Sequence, residues 1–138
     1  MYTPRVLVSM PTSDKKAYCE KEFIKQLRTF TSPLYDVFIV DNSEDSTKVK
    51  RFWDQGIKAI HQPIKGNFRE ELTRHQNIIR DYFLNGNYDY LLILESDVFA
   101  GEAIIEKLVG YAEAYQAGCV TATYEIMRDE PTLCLTAT

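Results

Sequence analysis

Apolar positions along this chain switch between a period of two and a period near 3.6, and each switch marks an element. "RVLVSMP" is an aliphatic run closed by Pro11 and predicts a buried first strand. Ser13 and Asp14 can cap a helix. From Lys15 to Phe30, Phe23, Ile24, Leu27 and Phe30 recur at helical spacing among charged residues, which predicts one apolar stripe and one wet face ended by "TSP". "YDVFIVDNS" predicts a second strand that finishes on an acid and an amide. "EDSTKVKRFWDQG" then reads as a short helix with cap residues in front and Gly56 behind, and "IKAIHQP" as a third, weaker strand. After "KGN", a helix is predicted from about Phe68 to Leu84, with Leu72, Ile79 and Phe83 on one side and Asn85-Gly86 as its stop. "YLLILESDV" is the fourth strand. The helix "GEAIIEKLVGYAEAYQAG" aligns Ile104, Leu108, Ala112 and Tyr115, and "CVTATYEI" and "TLCLTAT" read as two more strands.

Strand and helix alternate throughout, so the expected fold class is α/β, a mainly parallel sheet flanked by helices on both faces. Ligands in such sheets sit beyond the carboxyl ends of the strands. That rule sets Pro11 and Thr12, Asp41 and Asn42, and Glu95 to Asp97 along one rim. A length of 138 residues fits a single domain over 1–138, and no linker or internal repeat divides it. The net charge of −4 argues against a nucleic-acid-binding face, because phosphate neutralisation needs clustered Lys and Arg; a phosphate ligand here would call for a metal. No apolar run reaches the roughly 18 residues of a membrane span, and the start lacks a basic segment followed by a long apolar one, so a cytoplasmic location is expected. The cysteines, Cys19, Cys119 and Cys134, form neither a disulfide framework nor a zinc spacing and are expected to be buried free thiols.

Glu95 and Asp97 end the fourth strand as i and i+2, positions that share a side in extended backbone. Two like charges at about 4 Å and an effective dielectric of about 20 repel by about 4 kcal/mol, which a divalent cation would turn into attraction. The competing reading makes Ser96 or Asp97 the N-cap of the next helix. Asp41 strengthens the metal reading by bringing an acid from a second strand to the same rim. Asp41, Ser43 and Asp45 imitate the first ligands of a calcium loop, but the required Gly and closing Glu are absent, with Phe52 in the latter's place. Helix capping accounts for Ser43, Glu44 and Asp45. No GxGxxG follows the first strand, and neither GxxxxGK[ST] nor GxSxG occurs. His61 and His75 read as structural or surface residues. Arg69, Arg74 and Asn77 lie toward the start of a helix, where an anion is favoured; an ordinary Glu70–Arg74 ion pair is the equal alternative.

This ordered set resembles the nucleotide-binding half of GT-A fold glycosyltransferases, most closely the family 2 enzymes. "SMPTSDK" is similar to that family's first strand, proline and polar loop; "IVDNSEDST" is close to its "VDDGSTDGT"; "RHQN" stands where many members have "ARN"; and "YDYLLILESDV" looks like the strand of its DxD signature, "YILFLDADV". The likeness covers nearly all of this chain and about the first half of a typical member. It implies a Rossmann-like nucleotide-diphospho-sugar transferase fold, truncated before the acceptor half that supplies a general base. It further implies a nucleoside-diphosphate sugar, UDP-linked, as donor and Mn2+ or Mg2+ as cofactor. By the same resemblance Pro11 and Thr12 lie against the nucleoside, Asp41 accepts a hydrogen bond from the base, and Arg74 or Asn77 faces the diphosphate or sugar. Asp97 would ligate the metal, and Glu95 would meet the ribose or the metal, with Ser96 between them in an ExD variant of the motif. Asp129 and Glu130 receive no role. The alternatives are a non-catalytic nucleotide-sugar-binding module and a Toprim-type Mg2+-dependent phosphoryl-transfer domain; the latter calls for an acid at the end of the first strand, which "VSMPT" lacks.

Overall fold

The computed structural model describes residues 2–126 and 132–134, with side chains described for 2–123. Four parallel strands form the main sheet: β1 (Val6–Thr12), β2 (Tyr35–Asp41), β3 (Lys58–His61) and β4 (Tyr90–Ile93), in the order β3-β2-β1-β4. Helices α1 (Glu20–Leu27), α2 (Thr47–Asp54), α3 (Phe68–Asn85) and α4 (Ile104–Ala114) connect and cover them. The pleat of β1 sends Val6, Val8 and Met10 into a core with Phe23, Leu27, Phe52 and Ile105 from α1, α2 and α4. Leu7 faces the other way and joins Phe38, Val40 and Ile79 beneath α3. The sheet is therefore doubly covered, which explains why β1 reads as a continuous apolar run rather than an alternating one.

Several boundaries differ from expectation. Pro11 does not stop β1 but sits within it, paired in register with Val40. It is tolerated because β4 pairs only with Val6–Ser9, leaving β1 without a neighbour on that side at Pro11. The helix expected from Lys15 to Phe30 is two pieces, a 3-10 segment over Asp14–Cys19 and then α1, and Ser13 makes no side-chain cap. Gly56, after α2, adopts φ +75°, the left-handed conformation that a helix stop of this kind requires. Asn67 caps α3 by accepting a hydrogen bond from the Arg69 amide at 2.9 Å. In α4 the inward face carries Ile105 and Ala112; Tyr115 points outward and stacks on Tyr111. Residues 119–123 form no strand, and β5 (Tyr124–Ile126) pairs antiparallel with β6 (Thr132–Cys134) in a separate ribbon. Residues 135–138 of the expected last strand lie outside the described residues, as do Asp129 and Glu130. Cys19 is buried as expected, but Cys119 is exposed.

Candidate functional site

Register alone assembles half of the rim. Thr12 pairs with Asp41 and Asp41 with His61, so the carboxyl ends of β1, β2 and β3 stand side by side. Asn42 continues the line, its amide donating to the Thr12 carbonyl at 2.8 Å. In front of this row opens a cleft of about 620 Å³ lined by Pro11 to Lys16, Asn42 to Asp45, Ile64, Phe68, Leu72 and Glu95. Its lining carries four carboxylates, Asp14, Glu44, Asp45 and Glu95, against two ammonium groups, Lys15 and Lys16. A second hollow of about 290 Å³ between β4 and α4 is largely aliphatic and holds a single carboxylate, Asp89, whose Oδ2 accepts from the Arg5 amide at 2.8 Å. Of these two, the first holds more of the charged side chains.

Asp41 precedes the cleft-lining Asn42 and is fully buried. Its Oδ1 accepts hydrogen bonds from the Ser43 hydroxyl at 2.7 Å and the Ser43 amide at 3.3 Å, whereas Oδ2 has no partner. Burial pushes the carboxyl up from its ordinary range, against the pull of the Ser43 bonds and the Lys48 charge. Asn42 Oδ1 is also buried without a partner. Unsatisfied buried oxygens are uncommon and call for an explanation, and here two stand on neighbouring residues, one of which lines the cleft.

Glu95 and Asp97 do not end a strand as expected. β4 stops at Ile93, and both acids sit in a turn closed by the Val98 amide on the Glu95 carbonyl at 3.0 Å. The turn, not the pleat, brings them together. The capping alternative is removed, because α4 begins at Ile104 with Ala103 before it. Glu95 is exposed as a residue, yet desolvation in the cleft pushes its carboxyl up and the neighbouring Asp97 adds to the effect. Desolvation acts on Asp97 in the same sense, but there the Lys16 hydrogen bond and charge outweigh it and hold the carboxyl below its ordinary value. Lys16 Nζ and the Tyr18 hydroxyl, the latter at 3.2 Å, both donate to Asp97 Oδ2. Ser96 is buried; its Oγ accepts from Thr12 Oγ1 at 3.2 Å and its carbonyl from the Cys19 thiol at 3.3 Å, tying the turn to the end of β1.

Lys48 was not singled out by its sequence context, yet it stands at the centre of the arrangement. Only 2% exposed, it donates to the Ser13 carbonyl at 2.6 Å and Thr12 Oγ1 at 3.2 Å, and lies 3.7 Å from Glu20. Burial lowers its pKa while Glu20 and Asp41 resist. The available signal was spacing: Lys48 is four residues before the fully buried Phe52, hence on the inner face of α2.

The α3 residues are less central. Arg74 bonds Gln62 Oε1 and Glu71 Oε2, each at 2.7 Å, so its ion pair is with Glu71 rather than Glu70, and it does not line the cleft. Asn77 is exposed on the side of α3 away from the buried His75 and Ile79. His61 Nε2 lies 2.8 Å from the Ser43 carbonyl, bracing the loop after β2. His75 is completely buried, with Nδ1 unpartnered and its pKa lowered by desolvation and by Arg74. Among the described residues no three His, Cys, Asp or Glu side chains converge as a metal centre. The donor set fits a cation held by the Glu95–Asp97 pair with its remaining ligands from a phosphate, an arrangement usual for Mg2+.

In open parallel α/β sheets the crevice beyond the carboxyl ends of the strands is where ligands bind, and solved structures place the fold more narrowly. The mannosyltransferase PcManGT from Pyrobaculum calidifontis, in complex with GDP-Man and Mn2+, is similar to this chain with a TM-score of 0.63 at 19% identity, over 81% of this chain and 33% of that one. S. aureus TarS matches with a TM-score of 0.59 at 16% identity, over 81% of this chain and 20% of TarS. TarS 1-349 in complex with UDP gives 0.56 at 13% identity, again over 81% of this chain and 33% of the other. The chain thus has a GT-A-like glycosyltransferase fold and spans a third or less of the structures it matches. No family model and no curated protein sequence matches it.

Proposed function

We propose that residues 1–138 form the donor-binding portion of a glycosyltransferase that takes a nucleoside-diphosphate sugar, UDP-linked, together with Mn2+ or Mg2+ at Glu95-Ser96-Asp97. The observation that carries this reading is the cleft at the carboxyl rim, with Glu95 in its lining, Asp97 in the same turn, and the unpartnered oxygens of Asp41 and Asn42 at the end of β2. The Pro11–Thr12 segment forms the wall against which the nucleoside rests. Asp41 and Asn42 accept hydrogen bonds from the base, Asp41 from an imino N–H, which suits uracil. Arg74 or Asn77 of α3 is the sugar or phosphate contact from outside the cleft lining, which itself supplies the cations Lys15 and Lys16.

An acid-rich cleft repels a diphosphate, so Glu95 and Asp97 serve to hold a divalent cation rather than to attack the donor. When bound, such a cation supplies Lewis-acid stabilisation of the charge that develops on the departing diphosphate. In the transfer, the bond from the anomeric carbon to the diphosphate oxygen breaks and one to an acceptor oxygen forms, and the acceptor's proton passes to a general base.

Calorimetry of UDP and UDP-sugars with Mn2+ and with chelator tests the reading. Binding is expected with Mn2+, much weaker with chelator, and insensitive to metal in Asp97→Ala. Equal affinity in metal and chelator would overturn the metal assignment, and absence of binding to any nucleoside diphosphate would overturn the reading. The related alternative, a donor-binding module without turnover, separates from it by UDP release from bound donor.

A further inference from the structure

Resting on this reading, we propose that Lys16 is a built-in counter-cation for the Glu95–Asp97 turn, one that a divalent metal must displace from Asp97. Lys16 lies 81 residues away in the chain, in the 3-10 segment after β1, and its ammonium donates to Asp97 Oδ2. The Tyr18 hydroxyl takes the same oxygen, so Oδ2 is doubly engaged. The Glu95 carboxylate, by contrast, has no hydrogen-bond or ion-pair partner among the described residues, although the Lys16 charge reaches it. One ammonium against two carboxylates leaves the turn one charge short of neutral, whereas a divalent cation in place of the ammonium balances both carboxylates.

Both partners remain accessible for the exchange. Lys16 lines the cleft, and the paired side chains keep 33% and 28% of their surface exposed. A lysine is suited to such a role: it is a point charge on a flexible stem, able to leave Asp97 without moving backbone. Once displaced, Lys16 stands in the same cleft as the incoming diphosphate and gains a new anion there. The pair therefore weakens metal binding in the free protein and couples metal to nucleoside diphosphate, each strengthening the other.

Mn2+ titrations followed by water-proton relaxation, without nucleotide, test this directly. Lys16→Met and Lys16→Gln are both expected to bind Mn2+ about fivefold more tightly than the parent, with unchanged circular dichroism, and Asp97→Asn to lose the site. Adding UDP should tighten Mn2+ less in the Lys16 variants than in the parent. If Asp97→Asn binds Mn2+ as the parent does, the functional reading of this turn fails. If Asp97→Asn loses Mn2+ while both Lys16 variants bind it equally or more weakly, the turn holds metal and the exchange by Lys16 is wrong.

Discussion

Burial of Asp41 with Oδ2 unpartnered costs folding free energy at a carboxylate proposed to meet the base. The groups around it are the Ser43 hydroxyl and amide, Lys48 from α2, His61 from β3 and, across the rim, His75 from α3. Because the folded pKa is raised, the native state keeps this proton to higher pH than the unfolded chain does. Stability therefore falls as pH climbs from the unfolded pKa to the folded one and stays lower above it. Asn at this position has no proton to lose. Asp41→Asn is expected to stabilise the protein by about 1 kcal/mol near neutral pH, with the gain vanishing in acid, and to weaken UDP binding about tenfold. Urea melts across pH and calorimetry check the two halves; a gain that persists in acid would remove ionisation from the account. Lys48 answers the opposite way. Lys48→Met leaves Glu20 short of a cation and the Ser13 carbonyl short of a donor, so a loss of about 3 kcal/mol is expected in urea melts.

The joint between α1 and α2 rests on the same group of charges. Glu20, at the start of α1, accepts from Arg51 Nε at 2.9 Å and from its terminal nitrogen at 3.0 Å, besides facing Lys48. These bonds hold its pKa down against desolvation. A depressed carboxylate contributes stability that is present above its unfolded pKa and disappears as pH falls through the folded value. Glu20→Gln should thus cost about 2 kcal/mol at pH 7, and its urea-melt stability should converge with that of the parent in strong acid; parallel curves would deny the pair its charge. Neither this joint nor Lys16–Asp97 is legible in the sequence, since each links residues far apart in the chain, 31 and 81 positions respectively. The strands and helices were legible because burial on two faces and on one stripe leave different periods, and the rim acids because they follow apolar runs. The geometry of Glu95 and Asp97 was not: an i, i+2 pair reads as extended until the chain is seen to turn after Ile93. Likewise a charged Lys48 on the inner face of α2 is visible only if spacing to Phe52 is weighed above its polarity.

A net charge of −4 and a cleft whose lining holds four acids and two lysines make the molecule as a whole a poor receptor for a diphosphate and a good one for a cation. Fields of this kind are screened over about 10 Å at 0.1 M salt, so the sign of the salt dependence reports which ion the cleft was built to meet first. Mn2+ alone should bind more weakly as NaCl is raised, because screening removes attraction. UDP in chelator should show the reverse slope, weak binding that holds or improves with salt, because screening removes repulsion. Calorimetry at low and high NaCl measures both. If metal-free UDP instead loses affinity steeply as salt rises, cations of the protein itself hold the diphosphate, and Arg74 with the cleft lysines rather than Glu95 and Asp97 would be its principal partners.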